Sequence, residues 1–158
     1  MSAALLDRAL RAQVRRAAQA LARGAIVAYP TETFYGLGVP ALDGEAVARL
    51  CELKGREAEH ALAVIVDSPA MLDLLAADVP PRARALMERY WPGPLTLVLP
   101  KRPGLPPALL GPYGVGTRVS SHPVARALVM AAGVPLTATS ANRSGPPPAR
   151  AAEEVRAS

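Results

Sequence analysis

Apolar residues recur at spacings of three and four through Leu5, Leu6, Ala9, Leu10, Val14, Ala17, Ala18 and Leu21, with the neighbouring arginines off that stripe. The pattern predicts an amphipathic helix over the first 24 residues, stopped by Gly24. Ala25–Tyr29 is then a short apolar run cut by Pro30, which reads as a buried strand ending in an exposed loop. A second helix is predicted from Glu45 to Leu53, a second buried strand from Leu62 to Val66, and a third helix from Ser68 and Pro69 to Leu75. Pro81–Tyr90 reads as a helix broken by Trp91-Pro92-Gly93-Pro94, followed by a strand over Leu95–Leu99 and a proline-rich loop from Pro100 to Gly114. Val115–Val119 forms a strand, His122 and Pro123 open a helix that Gly133 closes, and Pro135–Thr139 makes a last strand. Ser140–Pro148 is a polar turn, and helical character returns at Ala149. Strands alternating with helices predict a layered α/β domain, whose ligands sit at loops beyond strand ends, with strand direction left open.

Length and composition limit the alternatives. With 158 residues, 51% hydrophobic and 20% charged, the chain is expected to be a single domain over residues 1–158, neither disordered nor a coiled coil. No apolar run reaches the roughly 18 to 20 residues that cross a bilayer, so no membrane partner is expected. Cys51 is the single cysteine, and with His60 and His122 it cannot make a four-ligand zinc site. A reducing, cytoplasmic setting is the expectation. The net charge of +5 suits an anionic partner such as a nucleotide or RNA.

Candidate chemistry gathers after the strands. If the loop after Tyr29 stays extended, Thr31, Thr33 and Tyr35 present three hydroxyls on one side; the plainer reading is a turn whose threonines satisfy backbone groups. Lys54 and Arg56 could grip a phosphate as point charge and planar fork, or belong to a solvated cluster with Glu52, Glu57 and Glu59. As a loop cation, Lys54 is expected to support little of the core. Ser140 and Asn142 repeat the two-residue spacing after the last strand, as turn residues or as a ligand edge, and Arg118 at a strand end could point into the same region. No G-x-x-x-x-G-K-[ST] loop or G-x-S-x-G elbow is present, and His122 beside Ser120 and Ser121 fits a helix start better than a nucleophile's base.

Taken together, Pro30-Thr31-Glu32-Thr33-Phe34-Tyr35-Gly36-Leu37-Gly38, Lys54-Gly55-Arg56, Trp91-Pro92-Gly93-Pro94-Leu95-Thr96, Arg118 with His122-Pro123, and Ser140-Ala141-Asn142 resemble the YrdC-like family in order and spacing, over about residues 20–150. The resemblance implies a twisted, mixed α/β sheet flanked by helices around a basic cavity. It also implies an enzyme that joins L-threonine, bicarbonate and ATP into threonylcarbamoyl-AMP, releases pyrophosphate, and works with Mg²⁺. The product would feed the transferase machinery that builds threonylcarbamoyladenosine in tRNA. Carried over, Lys54 and Arg56 hold the ATP phosphates, Asn142 contacts the nucleotide, and Thr31, Arg118 and Ser140 surround threonine, with Thr33 and Tyr35 as additional candidates. Three departures stand out: Glu57 and Ser120 replace prolines usual in the family, and the usual C-terminal strands are absent, as expected of a fragment or a degenerate member. The competing expectation is a non-catalytic module of the same fold that binds tRNA or double-stranded RNA.

Overall fold

The structure, a computed structural model, describes residues 7–55, 60–142 and 147–157. Leu5, Leu6, Arg56, Glu57 and Glu59 of the sequence reading lie outside them. Helix α1 (Arg8–Ala22) starts on Asp7, whose carboxylate accepts the Leu10 N–H at 2.7 Å. Its buried Val14 and Leu21 pack against α4 (Pro123–Ala132), which contributes buried Ala125, Leu128 and Val129. Helix α2 (Gly44–Lys54) starts on the Asp43 carboxylate, which accepts from Glu45 and Ala46, and stops at Gly55, whose φ of 64° is left-handed. Helix α3 (Pro81–Tyr90) and the short α5 (Ala152–Ala157) complete the set.

Among the described residues, eight short strands form two sheets. β1 (Val27–Tyr29), β2 (Gly36–Gly38) and β8 (Thr139–Ser140) make an antiparallel sheet in the order β1-β2-β8. The second runs β4 (Leu97–Leu99), β6 (Gly114–Arg118), β3 (Val64–Ile65), β7 (Leu136–Thr137), with β5 (Leu110–Gly111) also on β6. β3 and β6 are parallel and their other pairings antiparallel, so the sheet is mixed. Val64 and Ile65, adjacent in β3, enter separate apolar clusters. Val64 packs with Leu50, Leu72, Leu99 and Val115, and Ile65 with Leu21, Tyr29, Leu128 and Leu136. Both faces of this strand are covered, which is why its sequence is an unbroken apolar run. Burying each of these leucines contributes about 1.5–3 kcal/mol. Among the described residues no helix is long and apolar enough to cross a membrane.

Three sequence expectations are corrected and one element was missed. The segment from Pro69 is a 3-10 turn (Pro69–Leu74), because six residues caught between Ser68 and the bridge from Ala76 to Lys101 close i to i+3 bonds rather than an α-helix. The predicted strand Pro135–Thr139 is two strands, separated by Ala138, that pass from one sheet to the other. The proline-rich loop holds a 3-10 turn (Pro107–Leu109) and the hairpin strand β5. β2 goes unpredicted because glycine disfavours strands. Its glycine at 38 has a packing reason, since a Cβ there would lie 2.6 Å from Cε1 of the buried Tyr29 ring.

Candidate active site

Two polar clusters flank the loop between β1 and β2. The first is built by α2 and the end of β8. Lys54, the last residue of α2, is only 4% exposed, and its Nζ donates to the carbonyl oxygens of Ser140 and Asn142 at 2.6 Å each. Asn142 Oδ1 and Ser140 Oγ lie 3.3 and 3.4 Å from the same nitrogen, and the Ser140 hydroxyl donates to Asn142 Oδ1 at 2.5 Å. Lys54 is therefore a buried cation tying down a strand end, not a solvated one with little to support; Glu57 and Glu59 of the cluster reading lie outside the described residues. Phe34, Asn142, Pro147, Ala149 and Arg150 help line a cavity of about 500 Å³ beside it.

The second cluster joins the loop to β6. Arg118 Nη1 lies 3.3 Å from Glu32 Oε1, and both side chains are largely shielded. The Ser120 hydroxyl donates to the other Glu32 oxygen, while Ser120 Oγ accepts the His122 N–H at 3.1 Å. His122 caps α4 through Nδ1, which accepts the Val124 N–H at 3.2 Å. The helix-start reading of His122 is thus borne out.

The loop itself is bent, not extended. Thr31 Oγ1 donates to the Phe34 carbonyl at 2.6 Å, accepts the N–H groups of Thr33 and Phe34 at 3.3 Å, and sits 3.0 Å from Thr33 Oγ1. A hydroxyl that meets three backbone groups closes a turn here, so Thr31 does the turn chemistry of the plainer reading. Tyr35 lines a separate cavity of about 270 Å³ with residues of α1 and α4. Its backbone pairs on both sides, N–H to the Ala149 carbonyl and carbonyl from the Ala141 N–H, each at 2.9 Å. Gly36 faces Ser140 in the sheet register, so the bent loop touches the first cluster as Glu32 touches the second.

The structure thus brings Lys54, Ser140 and Asn142 into direct contact and places Arg118 against the residue next to Thr31. Arg56 lies outside the described residues. Sequence reasoning missed Glu32 and Ser120. The available signal was a lone acid in an otherwise uncharged segment, together with an arginine at a strand end in need of a counter-charge. Among the described residues no three His, Cys, Asp or Glu side chains cluster as metal ligands, and Glu32 is already engaged. The described residues offer no ready-made protein cage for Mg²⁺, which a cation carried on substrate phosphates does not need.

A family model for the Sua5, YciO and YrdC proteins, described as telomere recombination, matches residues 19–158. The chain belongs to the Sua5/YciO/YrdC family. Within that family it is 43% identical over 144 residues to a protein of Pyrococcus abyssi named threonylcarbamoyl-AMP synthase, covering 90% of this chain and 42% of that one. A protein of the same name from Thiobacillus denitrificans is 42% identical, over 86% of this chain and 73% of its own. The crystal structure of P. abyssi Sua5 complexed with L-threonine superposes with a TM-score of 0.89 at 42% identity, over 93% of this chain and 44% of that one. The family fold expected from the motifs is therefore present, although the chain spans less than half the length of the P. abyssi relative.

Burial pushes the Glu32 carboxyl up, but the Ser120 hydroxyl, the backbone N–H groups of Glu32 and His122, and the Arg118 charge outweigh it and hold the group below its ordinary value of 4.5. Burial holds His122 below its ordinary 6.5, with the Glu32 charge opposing. Both folded-state values are depressed, so both groups contribute stability that is present above the unfolded value and lost as pH falls through the folded one. A series of urea unfolding curves from about pH 8 to about pH 3 is expected to show stability falling in two windows, below 6.5 and then below 4.5. A midpoint that rises toward acid would contradict this assignment.

Proposed function

We propose that the protein makes threonylcarbamoyl-AMP from L-threonine, bicarbonate and ATP, as a nucleotidyltransferase that supplies the tRNA threonylcarbamoyl transferase machinery in the cytosol. The observation that carries this reading is the Lys54 ammonium held on Ser140 and Asn142, 86 and 88 residues along the chain, beside the cavity next to Asn142. The names of the relatives support it. The cavity's size is in the range of small-molecule sites.

In this reading the threonine amine displaces water from bicarbonate to form a carbamate, and a carbamate oxygen attacks the α-phosphorus of ATP. The bond to pyrophosphate breaks and negative charge grows on the departing oxygens, where Lys54 and Arg56 stabilise it. The two long contacts of Lys54, to Ser140 Oγ and Asn142 Oδ1, give way to phosphate oxygens while the short carbonyl bonds keep the ammonium in place. Asn142 then contacts the nucleotide. Thr31, Arg118 and Ser140 surround threonine, with Arg118 on its carboxylate and Thr33 extending the Thr31 edge. Positioning supplies the catalysis, without a covalent enzyme intermediate.

Pyrophosphate release, measured with ATP, bicarbonate and each amino acid in turn, is expected to depend on L-threonine. Release that is absent, or indifferent to the amino acid, overturns the proposal.

One observation favours a second reading, RNA binding. The outer face of α1 exposes Arg8, Arg11, Arg15 and Arg16, its C-cap Arg23 is exposed as well, and the helix itself carries no acid. RNA affinity falling linearly with salt on logarithmic axes supports it, and flat or absent binding removes it.

A further inference from the structure

The chain from α4 to Arg118 is continuous. The N-terminal turn of α4 is capped by His122, the His122 N–H donates to Ser120 Oγ, the Ser120 hydroxyl donates to Glu32 Oε2, and Glu32 Oε1 faces Arg118 Nη1 at 3.3 Å. Glu32 Oε1 is shut off from solvent and accepts no directed hydrogen bond, so the Arg118 charge is what compensates it. The dependence is mutual, because an arginine side chain has many rotamers and needs a fixed partner to hold one. The contact with Glu32 uses one end of the guanidinium, which leaves its planar fork another edge for a second carboxylate. Ser120 supplies the remaining constraint. It stands where the family pattern has proline, and a proline ring has no hydroxyl to donate to Glu32.

We propose that Ser120 and Glu32 form a positioning relay, carried from the start of α4, that holds the Arg118 guanidinium in the orientation that receives the carboxylate of the amino-acid substrate. The assignment rests on the synthase reading above and adds the residues that hold its carboxylate-binding group in place. Ser120 and Glu32 act through Arg118 and are positioning residues, not catalytic ones. Their loss should therefore weaken recognition of the amino acid without touching ATP. An interaction that merely stabilised the fold would move both substrates together, or neither.

The test compares Ser120→Ala, Ser120→Thr and Glu32→Gln in the purified protein. Ser120→Ala is expected to raise KM for L-threonine about tenfold, leaving kcat within about twofold and KM for ATP unchanged, and Ser120→Thr, which keeps the hydroxyl, is expected to restore it. Nitrogen-15 NMR of the Arg118 guanidinium gives a readout independent of activity: hindered rotation in the wild type, averaged in Ser120→Ala and Glu32→Gln. An unchanged KM for threonine, an equal rise in both KM values, or unchanged Arg118 signals overturns the relay. A wild-type protein without threonine-dependent turnover sinks the synthase reading alone, and the NMR comparison then decides whether the relay holds Arg118.

Discussion

Replacing Lys54 by alanine is expected to abolish threonine-dependent turnover and to destabilise the fold by about 3 kcal/mol. The first effect follows from the proposed phosphate role. The second follows from the position of the side chain: at 4% exposure its Nζ donates to two carbonyl oxygens at 2.6 Å, and alanine removes that donor from both. Withdrawing a charged donor from shielded acceptors costs about 1–3 kcal/mol for each group left unmet. Lys54→Met separates the contributions, since it keeps the apolar stem and deletes only the ammonium. Urea unfolding of both variants should show nearly the same loss, which would assign it to the hydrogen bonds rather than to packing. Wild-type stability in Lys54→Ala would mean that the β8 end does not depend on this lysine, and retained turnover would remove it from the phosphate site.

A comparable or larger loss is expected from Gly114→Ala, about 4 kcal/mol or failure to fold. Gly114 has φ of 135°, a backbone conformation L side chains rarely adopt, and a Cβ there would lie 2.0 Å from the Leu99 carbonyl oxygen. That atom is backbone in a paired strand, held by the register of Leu99 with Val115, so it cannot turn aside as a side-chain tip would. The consequence reaches the site because Gly114 begins β6 and Arg118 ends it. Gly36→Ala provides the contrast. Its nearest neighbours lie 3.6 Å away, ordinary contact distance, so little change is expected. Equal unfolding midpoints for Gly114→Ala and Gly36→Ala would refute the steric argument.

The legible parts of the chain were those governed by short-range rules. The stripe of α1, the span of α2, which runs one residue beyond Glu45–Leu53 at each end, and the Pro123 start and Gly133 end of α4 lie where spacing and capping place them. β2 was hidden because its glycines deny it a strand signature, and what explains Gly38, the Tyr29 ring of the neighbouring strand lying over it, is a cross-strand contact that residue types alone do not announce. The break at Ala138 was hidden for a related reason. Nothing in Pro135–Thr139 says that successive residues will pair with different sheets.

For the site, residue types and spacing alone nominated Lys54, Arg118, Ser140 and Asn142, and the combined motifs fixed the family. The sequence could not say which of these side chains meet. Lys54 reaches Ser140, 86 positions further along the chain, and Glu32 reaches Ser120, 88 positions further along. Periodicity reports which side of an element a residue faces, since that depends on backbone geometry a few residues long. Partner choice depends on how the sheets close on each other, and only the folded chain decides it.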